Sequence, residues 1–345
     1  MNALNKKIII LIVLVALFLL TFAMSLSFGQ IQIPFLSIVN ILTDQLNLPI
    51  LTNAVPTAED TAVVWHIRMP RTLVGILVGA ALAVTGAVMQ GVFGNPLAEP
   101  GIIGVSSGAA LGAVLAISMG LTAVGMFYMP LFAFIGSLAT VALTIFLAMR
   151  NGKIPVMVLL LAGVAVSIFL GALTSGILTF MNEYKLREFL FWTVGGLDYR
   201  RWEHVYLAVG PIVLGIIILC LLARHLNILV LGEEEARSVG MSVAKLRMLL
   251  LFIASLTTAT AVCVSGSISF VGLVVPHIMR IILGAEHRIL LPACALAGGT
   301  FLLGCDTVGR LIAQPAEIRV GVMTALMGAP YFLFLLRRAQ RKGQL

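Results

Sequence analysis

Apolar runs about as long as a lipid bilayer is thick, separated by short polar breaks, make up most of this chain. Lys6 and Lys7 precede the first run, residues 8–28. A hydrocarbon core of ~30 Å needs ~20 apolar residues in a helix, so this run predicts a span. A cleaved leader is the alternative, with Ala23-Met24-Ser25 a faint cleavage site; the charge balance below favours retention. The same pattern predicts a second helix over 72–92, a third over 101–119, a fourth over 128–149 and a fifth over 155–180. Five more follow at 205–223, 248–265, 268–282, 289–305 and 320–336, the eighth short or broken because it contains Pro276. The predicted fold is therefore all-α and polytopic, with about ten transmembrane helices forming one transmembrane unit over residues 1–345.

The polar breaks differ from one another. Residues 30–64 hold Asp44, Glu59 and Asp60 and predict a loop with a short surface helix. Residues 182–203 are charged and contain Gly195-Gly196, predicting a short helix followed by a turn. Residues 224–247 form the longest polar stretch after the second helix. Inside it, Glu233-Glu234-Glu235-Ala236-Arg237-Ser238-Val239-Gly240 puts acids in a first helical turn and Gly at the end. A compact, charged helix-Gly-helix over 231–247 suits docking of a soluble partner; a plain solvated loop is the alternative.

The most patterned stretch runs from Trp65 to Gly112. Arg68 and Arg71 bracket Pro70, a Gly- and Ala-rich run follows, and Asn95-Pro96-Leu97-Ala98-Glu99-Pro100 interrupts it. The next run carries Gly104, Gly108 and Gly112 at four-residue spacing, which lets helices approach closely. A shift of 180 residues brings Thr85-Gly86 onto Ser265-Gly266, Pro96 onto Pro276 and Gly104 onto Gly284. Five helices separate the copies, so the second is upside down. An inverted repeat of helices 2–5 and 7–10 is a transporter arrangement.

Composition narrows the class further. Hydrophobic residues make up 60% and charged residues 10%, against ~25% charged in soluble domains. The net charge of +8 forms no aromatic-interleaved patch of the kind that binds nucleic acid. The basic residues sit between runs instead. With ten helices and both termini cytoplasmic, 14 Lys and Arg fall inside and 8 outside, the bias expected of topology signals.

Candidate chemistry is sparse. Gly152-Lys153 is followed by Ile, so the phosphate-cradling G-x-x-x-x-G-K-[ST] loop is absent, and no His-Glu-x-x-His or G-x-S-x-G occurs. The chain is predicted not to be an enzyme. The five histidines are scattered, His66 and His277 being the two to test first, and the four cysteines have no metal-type spacing. No metal or cofactor is predicted. Mid-span acids and lysines, the mark of ion-coupled carriers, are nearly missing. An ion-coupled secondary transporter and a membrane-embedded enzyme are the competing readings, and energy is expected to come from another protein.

The residues resemble the FecCD-type permease subunits of type II ATP-binding-cassette importers, which carry iron-siderophores, haem or vitamin B12. The carriers are Arg68-Met69-Pro70-Arg71, Gly94 to Gly101, Gly104-Val105-Ser106-Ser107-Gly108-Ala109 and Leu231-Gly232-Glu233…Ala236-Arg237…Gly240. Phe270 to Arg280, Asp306…Arg310 and Gly328-Ala329-Pro330 complete the set. The resemblance implies a homodimer with a pathway on its two-fold axis. It also implies two ATPase subunits docked from the cytoplasm and an extracytoplasmic binding protein that delivers cargo, in a bacterial cytoplasmic membrane. It implies that Glu233, Glu234, Glu235, Ala236, Arg237 and Gly240 couple to the ATPase, and that Arg68, Arg71 and Arg310 receive acids of the binding protein. Asn95 and Leu97, with Val156 and Met157, would form the cytoplasmic gate. Two departures stand out. Val156-Met157 replaces a polar second gate, and Glu317-Ile318-Arg319 lacks the helix-starting proline. The implied cargo is an iron chelate, ferric siderophore or haem, with cobalamin the alternative.

Overall fold

The structure, a computed structural model, describes residues 3–49, 52–149 and 153–341. The stop signal at Arg150-Asn151-Gly152 and the tail residue Lys342 lie outside the described residues. Every regular element is helical among the described residues: α1 Ala3–Ser27, α2 Phe35–Gln45, α3 Ala58–Ala62, α4 Met69–Phe93, α5 Val105–Ser118, α6 Tyr128–Ala148 and α7 Val156–Thr179. Then come α8 Glu183–Val194, α9 Trp202–Leu221, α10 Ala223–Leu231, α11 Glu233–Ser238, α12 Val243–Ser265, α13 Val271–Leu283, α14 His287–Ile312 and α15 Val320–Arg341. Among the described residues seven helical stretches are long and apolar enough to cross a membrane, and α5, α13 and residues 320–334 of α15 are shorter apolar helices.

α4 is the centre of the packing. It touches α14, α12, α13, α9 and α10, and 83% of its apolar window is buried, against 11% for α1. Small residues make this possible. At Gly79 a Cβ would fall on the carbonyl of Gly298 in α14, and at Gly86 on that of Gly272 in α13. Backbone thus meets backbone at two levels of α4, the close-approach geometry that Gly gives membrane helices. Between these levels Thr258 Oγ1 donates to Thr85 Oγ1 at 3.0 Å, giving the buried hydroxyls a partner away from water.

Several boundaries differ from those read in the pattern. The second helix does not begin at residue 72 but runs unbroken from Ala58 to Phe93, 36 residues. Pro70 is accommodated because the turn before it, Val63–Arg68, is widened into a π-helix, which relieves the clash a proline ring makes with the carbonyl four residues back. The segment read as a loop with one surface helix instead tucks α2 inward. Ile38 and Ile41 pack with Leu26, Ile33 and Val64 in a second, smaller core. The polar stretch after the sixth predicted helix contains α10, whose Leu226 and Leu229 are buried. α14 continues to Ile312, so Asp306 is inside a helix and not at its end; its charge is matched there by arginines, so the helix can run on. The residues matched at the 180-residue shift sit in unlike places: Thr85-Gly86 lie mid-helix while Gly266 caps α12, and Pro96 lies in a turn while Pro276 is inside α13.

Candidate functional site

α12 has 23 residues, ~34 Å at 1.5 Å per residue, and it separates two polar clusters. Its first turn adjoins α11. Its last residue, Ser265, accepts from Gly196 N at 2.8 Å in the loop after α8. Arg68 and Glu235 therefore lie at opposite ends of the bundle.

At the α11 end a six-residue helix stands proud of the surface. Glu233, Glu234, Glu235, Arg237 and Gly240 are exposed, and only Ala236 is buried. Gly240 holds φ 80° in the turn that leads to α12, a left-handed conformation that Gly adopts without strain. Glu233 makes two contacts. Arg237 Nη2 donates to Glu233 Oε2 at 3.0 Å, one turn along. Arg247 Nη2 donates to Glu233 Oε1 at 2.8 Å from inside α12. The same guanidinium donates through Nη1 to Ile154 O at 2.8 Å, just before Pro155 opens α7. Arg247 is 5% exposed. One buried cation thus ties the proud helix to the base of α7.

The four residues that the resemblance implies as a gate, Asn95, Leu97, Val156 and Met157, share this end. Leu97 N donates to Asn95 Oδ1 at 2.9 Å, closing the turn after α4. Leu97 is 46% and Met157 67% exposed. Val156 is half-buried at the start of α7. No hydrogen bond joins the first pair to the second among the described residues. α7 packs against α5, α6 and the 3₁₀ turn Pro100–Ile103, with Gly163 set against the Ile102 carbonyl. Leu97 and Met157 present apolar surface outward from the single chain. Glu99 lies between them in sequence, and no hydrogen bond reaches its carboxylate among the described residues. Burial pushes the Glu99 carboxyl above its usual range. Nearby, Gln90 Nε2 donates to the carbonyls of Gly272 and Leu273, while its Oε1 accepts from Arg280 Nη1 at 2.9 Å.

At the other end, Arg68, Arg71 and Arg310 are all buried. Arg71 Nε and Nη2 donate to Asp306, with Nη2 to Oδ1 at 2.8 Å. Arg71 Nη1 donates to Glu317 Oε2 at 2.7 Å, and Nη2 lies 3.3 Å from Asp198. Arg310 pairs with Asp306 at 3.2 Å and donates to Ser25 O and Phe28 O. Arg68 donates to the carbonyls of Leu26, Ser27 and Ile31. Two of the three arginines therefore satisfy the orphan carbonyls at the end of α1, where a cation also complements the helix dipole. All three guanidiniums are committed inside the chain. Asp198, Glu317, Arg247 and Gln90 complete these networks, and the sequence assigned none of them a partner. The signal was present, since a charge bordering an apolar run needs a partner, but sequence does not say which one.

His66 and His277 stay apart. His66 lies in the π-turn before α4, and His277 meets Tyr331 of α15 edge-on, with ring centroids 6.4 Å apart.

An all-helical, multi-pass bundle with its charges gathered at two ends and a small charged helix raised from one of them defines a membrane permease subunit. The chain belongs to the FecCD transport family, whose model matches residues 17–338. It is 46% identical to the cobalamin import system permease protein of Halobacterium salinarum over 80% of this chain and 73% of that one. It is 44% identical to the hemin transport system permease protein of Yersinia pestis, over 81% of this chain and 86% of that one. Among solved structures it is similar to a metal-chelate type ABC transporter in an inward-facing conformation. There the TM-score is 0.83 and the identity 34%, covering 95% of this chain and 99% of the other.

Proposed function

We propose that this permease imports an iron chelate, a ferric siderophore or haem, as one half of a homodimer driven by two separate ATPase subunits and fed by an extracytoplasmic binding protein. In this reading residues 1–345 form one unit of ten spans. Both termini and α11 are cytoplasmic, and the Arg71–Asp306 cluster faces outward in a bacterial inner membrane. The inverted repeat of helices 2–5 and 7–10 is kept as an arrangement of helices, without the residue register read from the sequence.

The observation that carries the reading is the Arg247 bridge. A docked ATPase that pushes the acidic face of Glu233, Glu234 and Glu235 moves Glu233. Arg247 passes the displacement to the Ile154 carbonyl at the base of α7, next to Val156 and Met157. Leu97 and Met157 present the apolar surface that a second copy would meet to close the path. Rocking of the two copies then opens one end as it closes the other. Arg68, Arg71 and Arg310 act in this scheme by holding the outer ends of α1, α4 and α14 together, so their part in receiving the binding protein is indirect.

A second cargo is favoured by a specific finding, the cobalamin permease relative at 46% identity. Reconstitution with the cognate ATPase and binding protein decides between them. Uptake of radiolabelled haem or ferric siderophore supports the first reading, and uptake of cobalamin alone supports the second. ATP hydrolysis or gradient-driven uptake by the isolated chain would overturn both.

A further inference from the structure

The proud helix α11 is tied to the bundle at two places. Through Glu233 and Arg247 it reaches the Ile154 carbonyl and the base of α7. Through Gly232, a single residue, it is joined to α10. Gly232 holds φ 138°, with the Glu235 carboxylate folded back over it. Gly232 N donates to Leu229 O at 3.2 Å, and Gly232 O accepts from Ala236 N at 3.1 Å. Hydrogen bonds thus run from one helix into the next across the joint, and a displaced α11 carries α10 with it.

α10 in turn is clasped to α4 and α14. Leu226 of α10 is buried, and a Cβ at Gly91 of α4 would fall 3.0 Å from its Cδ1 and 3.1 Å from His287 Nε2. His287 opens α14 and is 2% exposed. Its backbone N–H, one of the orphan donors of a helix start, donates to Asn227 Oδ1 of α10 at 2.9 Å. That donor fixes the amide oxygen towards α14. The ring Nδ1 lies 2.7 Å from the same oxygen, so Nδ1 carries the proton and donates. Nε2 is left as a buried acceptor facing Gly91, with no partner among the described residues. Two donors on one oxygen hold α10 in register, because breaking either strands a buried donor away from water. Gly91 sits in the last turn of α4, and Asn95 N donates to Gln90 O at 3.2 Å. The turn that carries Asn95 and Leu97 therefore grows from the surface that Leu226 and His287 touch.

We infer that the Asn227–His287 clasp is a positioning device that delivers the displacement of α11 to the Asn95–Leu97 turn, while the Glu233–Arg247 bridge delivers it to Val156 and Met157. Each half of the gate then has its own link to the ATPase. The two links share no residue. Both run through a buried side chain, Arg247 in one and His287 in the other. A close-packed interior has few voids to absorb a shift, so a buried link passes movement on where an exposed one would dissipate it. Neither Asn227 nor His287 touches cargo in this account; they act through the backbone of α4.

This inference rests on the importer reading above, and one experiment separates the two. The permease–ATPase complex, its four native cysteines replaced by alanine, carries a spin label at Leu97→Cys or at Met157→Cys. The distance between the labels of the two copies is read in nanodiscs, without nucleotide and with ATP and vanadate. No change at either label in the otherwise unaltered complex sinks the importer reading itself. With both labels moving, Asn227→Ala is expected to cut the shift at Leu97 by more than half and to leave that at Met157 intact. Arg247→Met is expected to do the reverse. Asn227→Asp keeps the accepting oxygen and should keep both shifts. The double variant should lose both, since sites without shared partners act additively. Unequal loss at the two labels is evidence of coupling that a merely structural staple does not produce. Equal loss at both labels in either single variant overturns the division between the links, and so does a full shift at Leu97 in Asn227→Ala. Should Asn227→Ala fail to assemble with the ATPase, Arg247→Met decides alone: surviving movement at Leu97 supports the second link, and its loss overturns it.

Discussion

Replacing Asp306 by Ala tests whether the arginines clustered around it are structural. The Asp306 side chain is 2% exposed and is shared by Arg71 and Arg310. Removing one partner of a buried ion pair costs about 3–5 kcal/mol, because the remaining charge stays buried without compensation. Two guanidiniums are stranded here, but unequally. Arg71 keeps Glu317 at 2.7 Å and Asp198 at 3.3 Å. Arg310 keeps only carbonyl and hydroxyl acceptors from Ser25, Phe28 and Thr307. The loss should therefore sit near the lower end, about 3 kcal/mol, or roughly a hundredfold in the unfolding equilibrium, since each 1.4 kcal/mol is a factor of ten. Equilibrium unfolding in mixed micelles measures it for Asp306→Ala, Arg71→Ala and the double variant. The double variant should fall short of additivity by about 1–3 kcal/mol, as expected for groups in one network. Additive losses of under about 1 kcal/mol each would refute the reasoning and return Arg71 to the role of a free docking cation. A second readout separates the two roles again: a docking cation, unlike a structural one, would lose binding-protein response at unchanged stability.

Three further outcomes follow from the same geometry. Arg247→Met should leave ATP hydrolysis by the assembled complex in place while lowering cargo moved per ATP several-fold, measured by paired uptake and phosphate-release assays; an unchanged ratio removes the bridge from the mechanism. Gly86→Val should force α4 away from α13 and cost about 1–3 kcal/mol, the range for overpacking a tight core, read by unfolding in micelles, while Gly171→Val, with nothing within 4 Å of its Cβ, should cost far less in the isolated chain. Glu99 has its carboxyl raised by burial, so the folded chain holds that proton more tightly than the unfolded one. Its stability contribution is full below the ordinary carboxylate range of about 4.3 and is lost as pH rises from there through the folded value. Glu99→Gln should therefore gain on wild type across that interval and hold the gain at neutral pH, measured as the difference between their unfolding free energies over pH.

Hydrophobic periodicity by itself determined that this chain is a multi-helix membrane protein, because a bilayer selects for run length and apolarity, both of which are local. The absence of a phosphate-binding loop, the basic bias of the breaks and the proud acidic helix at 233–240 were equally local and readable in order. Helix ends were less so. Pro70 reads as a stop until the π-turn at Val63–Arg68 is seen, and Asp306 reads as an end until its two arginines are found. Partnership was decided only by the tertiary structure. A guanidinium's attraction falls off within a few ångströms, so Arg71 and Asp306, 235 residues apart in the chain, are coupled by the crossing of α4 and α14 at Gly79 and Gly298 and by nothing in their neighbourhoods. The same crossing spends the arginines that looked free, because charge alone is written in the sequence while its neutralisation depends on which backbones can touch.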